Sequence, residues 1–230
     1  MKHVAIVMAA GSGSRMGSDI PKQYLSIKGR PVLYFSLKAF EDSFVDEIII
    51  VTRAEDVSYC RAKIVDRFGI KKVVGIVPGG KERSDSVFEG LKAVKPDEET
   101  YVYIHDGARP CITEDILDRA KEDVQIYGAT VVGVPSKDTV KLADENGNVD
   151  TTPERKKVWS VQTPQAFKYE VIYNAFLKMQ EAGDASVTDD GMVVERYSGV
   201  KVHLTMGDYR NIKITTPEDL KVVENFLLNI

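Results

Sequence analysis

Short apolar runs alternate with amphipathic segments over the first 135 residues of the chain. The apolar runs have no helical period and are typical of strands that are buried on both faces. They lie at residues 4–9, 47–52, 73–77, 101–105 and 129–134. The amphipathic segments, with apolar residues at helical spacing, lie at residues 32–40, 54–68, 83–94 and 113–128. Strands that alternate with helices predict parallel βαβ units and therefore a layered α/β sheet.

The pattern changes after residue 135. Residues 135–160 are mostly polar, and Asn146-Gly147 stands between two extended segments, which is a strong signal for a β-hairpin. Such a polar hairpin buries little apolar surface by itself. It therefore either lies in solvent or packs on a partner, for example another subunit. No repeat or linker divides the chain, so we expect one domain over residues 1–230 with an arm at 135–160. The pattern beyond the arm predicts helices at 169–181, from 189 and from 217, and strands at 200–205 and 211–214.

Three of the predicted strands end in turns of unusual composition. The turns read GSGSR from Gly11, PGGKERSDS from Pro78 and HDGARPC from His105. Ligands of open α/β sheets bind beyond the carboxyl ends of the strands. If the three turns lie side by side, we expect them to form one pocket.

The first of these turns has the features of a phosphate-binding loop. Its glycines let the backbone approach a ligand closely, and the cations Arg15 and Lys22 follow. Backbone N–H groups with a guanidinium and an ammonium nearby suit a polyphosphate. The turn lacks the Gly-Lys-Ser/Thr tripeptide of a Walker loop, and Met16 stands where a dinucleotide-binding loop has its third glycine. The sequence therefore predicts a nucleotide loop of a different kind.

Composition and charge argue against several other classes of protein. The net charge is −4 over 230 residues, so nothing indicates a nucleic-acid surface. No apolar run approaches the roughly 20 residues of a membrane helix. With no membrane span and no export signal, we expect a cytoplasmic protein. The two cysteines form no disulfide framework, and the three scattered histidines argue against a zinc site.

Five motifs occur in order from residue 9 to residue 220. They read AAGSGSRMG…PKQYL, PGGKERSDSV, HDGARPC, QTPQAF and NIKITTPEDL. Together they resemble the cytidylyltransferases that act on 2-C-methyl-D-erythritol 4-phosphate in the non-mevalonate isoprenoid pathway. The resemblance implies a Rossmann-like three-layer α/β/α nucleotidyltransferase sandwich, with a protruding β-hairpin arm that clasps a second subunit in a homodimer. It also implies transfer of CMP from CTP to a polyol phosphate, with Mg²⁺ or another divalent cation.

The resemblance assigns residues to the nucleotide. Arg15 and Lys22 would bind the triphosphate and stabilise the transition state. Asp106 would hold Mg²⁺ directly or through water, and Arg109 would support its loop. Lys81 departs from the family, which often has an acidic residue there, and Gly107 stands where alanine is common. The nucleotide contacts implied in this way are Ala9, Ala10, Gly11, Ser12, Gly13, Gly80, Ser86, Asp106 and Gly107.

The resemblance assigns four further residues to the second substrate. Thr139 and Arg155 lie on the predicted arm and would reach the active site of the partner subunit. Thr188 and Lys213 belong to the main domain. The planar guanidinium of Arg155 suits a phosphate group. Arg15, Lys22, Arg155 and Lys213 are thus the predicted catalytic set.

Three other functions remain as alternatives at this point. The nearest is the same reaction on D-ribitol 5-phosphate, because both substrates are polyol phosphates. An NAD-dependent oxidoreductase is disfavoured by the missing third glycine and by the lack of an acidic residue at the end of the second strand, which reads Val51-Thr52-Arg53. A non-catalytic nucleotide sensor is disfavoured by the presence of both Arg15 and Lys22.

Overall fold

The computed structural model describes residues 1–11 and 20–227, and this part of the chain forms eleven strands and seven α-helices. The strands are β1 (Lys2–Ala9), β2 (Ser26–Ile27), β3 (Arg30–Pro31), β4 (Glu47–Thr52), β5 (Val73–Pro78), β6 (Thr100–Asp106), β7 (Ala129–Pro135), β8 (Leu142–Ala143), β9 (Val149–Thr151), β10 (Trp159–Lys168) and β11 (His203–Met206). The helices are α1 (Val32–Glu41), α2 (Val57–Cys60), α3 (Arg83–Ala93), α4 (Glu114–Tyr127), α5 (Tyr169–Ala182), α6 (Asp190–Tyr197) and α7 (Pro217–Phe226).

Seven of these strands form one central sheet in the order β11-β7-β10-β6-β1-β4-β5. Strand β1 pairs in parallel with both β4 and β6, and its residue Met8 lies opposite Asp106. The pairs β1-β4, β1-β6 and β4-β5 are parallel, as predicted, whereas β10, which follows the arm, runs antiparallel between β6 and β7. As a consequence the first half of β10, which carries Thr163, lies beside the carboxyl end of β6.

Helices cover both faces of the sheet. In β1 the side chains of Val4 and Ile6 pack on one face, those of Ala5 and Val7 pack on the other, and all four are fully buried. One face carries α1, α2 and α4, and the other carries α3, α5 and α6. A strand buried on both faces is what the uninterrupted apolar run predicted. The predicted three-layer α/β/α sandwich is confirmed.

Two elements after residue 50 differ from the predicted pattern. The predicted helix at 54–68 is irregular, with a 3-10 turn at Ala54–Asp56 and a π-helical segment at Arg61–Asp66 on either side of α2. The segment 211–214, predicted as a strand, is not one. The backbone N–H of Ile214 donates instead to the carbonyl of Ala108, in the loop after β6.

The predicted hairpin is present as a separate two-stranded sheet of β8 and β9. Its turn is held by Asp144, whose side chain accepts hydrogen bonds from the backbone of Asn146 and Asn148, and Gly147 has a positive φ of 83°. The arm is shorter than residues 135–160, because Trp159 and Ser160 belong to β10 and pair with the main sheet. None of the helices in the described ranges is long and apolar enough to span a membrane.

Candidate active site

A cavity of about 420 Å³ lies where β1 and β6 end and the turn after β5 begins. The described parts of all three unusual turns therefore border one space, as the sequence predicted. Four cations and two acids line this cavity among the described residues, so its wall carries an excess of positive charge that suits an anionic ligand. The cations are Lys22, Lys81, Arg83 and Lys213, and the acids are Glu82 and Asp106.

The turn after β5 is packed so tightly that two of its positions need glycine. A Cβ atom at Gly79 would lie 2.7 Å from Ser86 Oγ, and one at Gly80 would collide with Asp85. The backbone N–H of Gly80 donates to Ser86 Oγ at 3.1 Å, and this hydroxyl donates to the carbonyl of Glu82 at 3.0 Å. The turn is thus fixed by its own hydrogen bonds and brings the backbone of Gly80 to the cavity.

The loop after β6 places a charged carboxylate at the cavity. Asp106 is 8% exposed, and Lys213 Nζ lies 2.8 Å from its Oδ2 while Arg109 Nε lies 3.7 Å away. Burial would raise the pKa of Asp106, but the charges of Lys213, Arg83 and Arg109 outweigh this and hold its pKa below the ordinary value. The group therefore stays ionised at neutral pH.

The segment 211–214 supports this loop from outside the sheet. Arg109 Nη1 donates to the carbonyl of Asn211 at 2.8 Å, and the backbone N–H of Ile214 donates to that of Ala108 at 2.9 Å. Lys22 Nζ in turn donates to the carbonyl of Ile214 at 2.8 Å. These contacts bring the amines of Lys22 and Lys213 to the cavity from opposite ends of the chain.

His105 is a neutral part of the same loop. Its Nε2 faces the carbonyl of Arg109 at 3.2 Å, which can only accept, so Nε2 carries the proton. Its Nδ1 therefore accepts from the hydroxyl of Thr163 at 3.0 Å, and that hydroxyl accepts from the backbone N–H of Asp106 at 3.0 Å. Burial is the main reason that the pKa of His105 falls to about 4.

We expect His105 to make the protein less stable as the pH falls from 7 to 5. Below pH 6.5 the unfolded chain takes up a proton at this histidine, whereas the folded protein does not until about pH 4. Stability is therefore lost as the pH falls, and the loss between pH 7 and pH 5 is about 2 kcal/mol. Urea unfolding without nucleotide or divalent cation would measure it.

The His105→Gln variant should show a flatter dependence of unfolding free energy on pH over this range. His203→Gln, a change in a partly exposed histidine of β11, is the matched control. An unchanged pH slope in His105→Gln would show that this histidine titrates alike in the folded and unfolded states.

The structure brings many of the residues predicted to bind the nucleotide together at the cavity. The residues on the arm that were predicted to bind the second substrate do not lie there. Gly107 and Arg109 lie in the loop behind the cavity. Ser12, Gly13 and Arg15 lie outside the described residues. Thr188 is exposed in a crevice beside Arg83. The predicted residues that line the cavity are Ala9, Ala10, Gly11, Lys22, Gly80, Ser86, Asp106 and Lys213.

Thr139 and Arg155 are both exposed on the arm, and neither is among the described residues that line the cavity of their own chain. The single chain therefore does not bring these two residues to the cavity. The close packing around Gly107 favours glycine at this position, since a Cβ there would lie 2.7 Å from Leu33 Cδ1 and 3.0 Å from the carbonyl of Met8.

Gln23 and Arg83 are among the cavity residues that the sequence interpretation missed. Gln23 is 2% exposed and its Nε2 donates to the carbonyl of Ala9 at 2.7 Å, which fixes the end of β1. Its signal was the PKQYL motif, in which only Lys22 was given a role. Arg83 was counted as the first residue of a helix, and nothing local indicated its partner, Asp190.

Comparison with known proteins gives one consistent answer. The family model described as 2-C-methyl-D-erythritol 4-phosphate cytidylyltransferase matches residues 3–229. The chain is 49% identical over 227 residues to the protein of that name from Lachnospira eligens, covering 98% of this chain and 99% of that protein. It is 45% identical over 226 residues to the one from Lachnoclostridium phytofermentans, covering 98% and 96% respectively.

Solved structures agree with this result. The crystal structure of 4-diphosphocytidyl-2C-methyl-D-erythritol synthase from Anaerococcus prevotii superposes with a TM-score of 0.86 at 36% identity, covering 99% of this chain and 98% of that one. The cytidylyltransferase from Thermus thermophilus superposes with a TM-score of 0.77 at 27% identity, covering 98% of both chains. The chain therefore belongs to the 2-C-methyl-D-erythritol 4-phosphate cytidylyltransferase family.

Proposed function

We propose that the protein transfers CMP from CTP to 2-C-methyl-D-erythritol 4-phosphate and releases pyrophosphate. Family membership makes it a nucleotidyltransferase. The observation that carries the proposal is the convergence of Lys22, Lys213 and Asp106 on one cavity whose other wall is a glycine turn. The two lysines can bind the phosphate groups of the substrates, and the backbone of the turn can form hydrogen bonds with the nucleotide base.

The reaction needs charge neutralisation and alignment more than proton transfer. An oxygen of the substrate phosphate attacks the α-phosphorus of CTP, a P–O bond forms, and the bond to the pyrophosphate oxygen breaks. The attacking phosphate dianion is already nucleophilic, so no general base is required. Because both reactants are anions, the site must offset their repulsion and hold the attacking and leaving oxygens in line. Lys22 and, by the family resemblance, Arg15 supply this positive charge next to the triphosphate.

The donors at the cavity fit a magnesium ion that arrives with the nucleotide. Asp106 presents an ionised carboxylate, and in the described ranges no group of three or more acidic, histidine or cysteine side chains is arranged to hold a metal ion. Mg²⁺ is commonly held by one or two carboxylates together with substrate phosphates and water. Asp106 would hold it, directly or through water. When bound, the ion would neutralise charge that develops on the phosphate oxygens.

The cytosine base belongs, in this proposal, at the turn after β5. Gly80 and Ser86 border the cavity there, and the tight packing of the turn leaves backbone groups as its recognition surface. Lys81 replaces the acidic residue common in the family, yet contacts made through the backbone of the turn do not depend on that side chain.

The second substrate would be bound by two chains of a homodimer. Lys213 lies at the cavity of its own chain, and Thr188 lies in a crevice next to it. Thr139 and Arg155 are exposed on the arm, so they would complete the active site of the partner subunit. Two exposed apolar side chains on the arm, Leu142 and Val149, support a role in subunit contact.

The cytoplasm is the location that we infer for the reaction. Cys60 and Cys111 are buried free thiols. Cysteines usually stay in this state in reducing compartments.

We expect turnover to require CTP and a divalent cation, and to be faster with 2-C-methyl-D-erythritol 4-phosphate than with D-ribitol 5-phosphate. Pyrophosphate release, measured in parallel with each polyol phosphate and with CTP, UTP or ATP, tests this directly. Equal turnover with UTP or ATP would refute the base assignment. Faster turnover with D-ribitol 5-phosphate would favour the alternative substrate.

A further inference from the structure

An ion pair joins the turn after β5, where we propose that the base binds, to helix α6. Arg83 Nη1 and Nη2 donate to the two carboxylate oxygens of Asp190 at 2.8 and 2.7 Å. Arg83 is the first residue of α3 and lines the cavity, whereas Asp190 is the first residue of α6 and is 1% exposed. Burial opposes the charge on Arg83, but Asp190 raises its pKa above the ordinary value.

The start of α6 is also hydrogen-bonded to β10, beside the loop after β6. Gln165 Nε2 donates to Asp189 Oδ2 at 2.9 Å, and Gln165 Oε1 accepts from the backbone N–H of Gly191 at 2.8 Å. Gln165 lies opposite Ile104 in β6, two residues before Asp106. Two sets of contacts, one from the turn after β5 and one from β10, therefore hold three consecutive residues at the start of α6, Asp189 to Gly191.

We propose that the Arg83–Asp190 ion pair positions the second substrate. It holds the start of α6, and with it Thr188, against the wall of the nucleotide cavity. Two of the five N–H donors of Arg83 bond to Asp190, so the guanidinium is oriented by this partner. The pair links the turn that receives the nucleotide to the segment that receives the polyol phosphate. This inference rests on the proposed function and on the placement of Thr188 beside Arg83.

Asp190→Asn and Arg83→Lys are the direct variants. The first keeps the shape of the side chain and loses its charge, and the second keeps the charge and loses the two-pronged geometry. We expect each to raise KM for the polyol phosphate about tenfold, the loss typical of a charge-assisted hydrogen bond, while KM for CTP and kcat change less than about threefold. The double variant Arg83→Gln with Asp190→Asn should be no worse than either single change, because the two residues act as one unit.

The matched control is a second arginine–aspartate pair, in which Arg196 lies on α6 and Asp184 lies between α5 and α6. Arg196 Nη1 lies 2.8 Å from Asp184 Oδ2, and neither residue lines the nucleotide cavity among the described residues. Arg196→Lys should leave both KM values unchanged. Hydrogen exchange should become faster at residues 187–192 in Asp190→Asn and stay unchanged there in Arg196→Lys.

Each outcome decides between the inference and a merely structural role. A lower melting temperature in Asp190→Asn, with both KM values unchanged or raised equally, would show that the pair only stabilises the fold. Unaltered exchange at residues 187–192 would overturn the inference whatever the substrate is. Failure of the wild-type protein to turn over the polyol phosphate would instead refute the proposed function. The exchange data would still test whether the Arg83–Asp190 pair orders residues 187–192.

Discussion

Replacing Lys22 with alanine should lower kcat by roughly 10²-fold or more, which corresponds to about 3 kcal/mol of lost transition-state stabilisation. The amine is held at the cavity by the carbonyl of Ile214 at 2.8 Å, so it is positioned before substrate arrives. Charge on the transferring phosphoryl oxygens changes most on the way to the transition state. CTP binding should therefore weaken less than turnover does.

Steady-state kinetics together with calorimetric CTP binding would measure the two effects of Lys22→Ala separately. Lys28→Ala is a suitable control, since Lys28 is exposed, donates to the carbonyl of Leu227, and is not among the described residues of the cavity. A Lys22→Ala enzyme with nearly normal kcat would remove this lysine from the mechanism. A melting temperature close to that of the wild type would show that loss of the bond to Ile214 is not the cause.

The second large effect concerns the arm. Arg155→Ala should raise KM for the polyol phosphate by roughly 10 to 10²-fold, the loss expected for a charge-assisted contact to a phosphate, and leave CTP affinity nearly unchanged. Lys156→Ala is the matched control, because Lys156 is an exposed cation in the same 3-10 turn and pairs with Glu154.

Subunit exchange tests whether Arg155 acts on the partner's site. In a mixed dimer of Lys22→Ala and Arg155→Ala chains, one site receives an intact Lys22 from one chain and an intact Arg155 from the other. Co-expression of the two variants should therefore give more activity than either homodimer has when the polyol phosphate is well below the raised KM of Arg155→Ala. No recovery in verified heterodimers, or full activity in a monomer, would place Arg155 within its own chain.

The elements that could be predicted are those with a local signal. The apolar run at 4–9 became β1 because such a run can only be buried on both sides, and α4 ends at Gly128, whose φ of 76° few other residues tolerate. The turn after β5 also has a local signal, since its glycines and serines indicate a backbone that packs closely against its neighbours or a ligand.

The elements that could not be predicted depend on contacts between distant residues. The antiparallel strand β10 contains Gln162, Thr163 and Gln165, which read as polar loop residues and are at most 6% exposed. Their polar groups are satisfied by residues far along the chain, such as the carbonyl of Asp208 for Gln162. Likewise Arg83 and Asp190 are 107 positions apart, so no local pattern could have paired them.

The segment 211–214 sets when the active site can form during protein synthesis. Lys213 neutralises Asp106, the backbone of Ile214 bonds the loop after β6, and the carbonyl of Ile214 holds Lys22. The residues of this segment follow every strand of the central sheet along the chain and are therefore made after the sheet that they brace. A nascent chain can therefore build its hydrophobic layers early. The catalytic cavity must wait until Ile214 has been made, so a nascent chain that ends before this residue does not yet contain a complete nucleotide site.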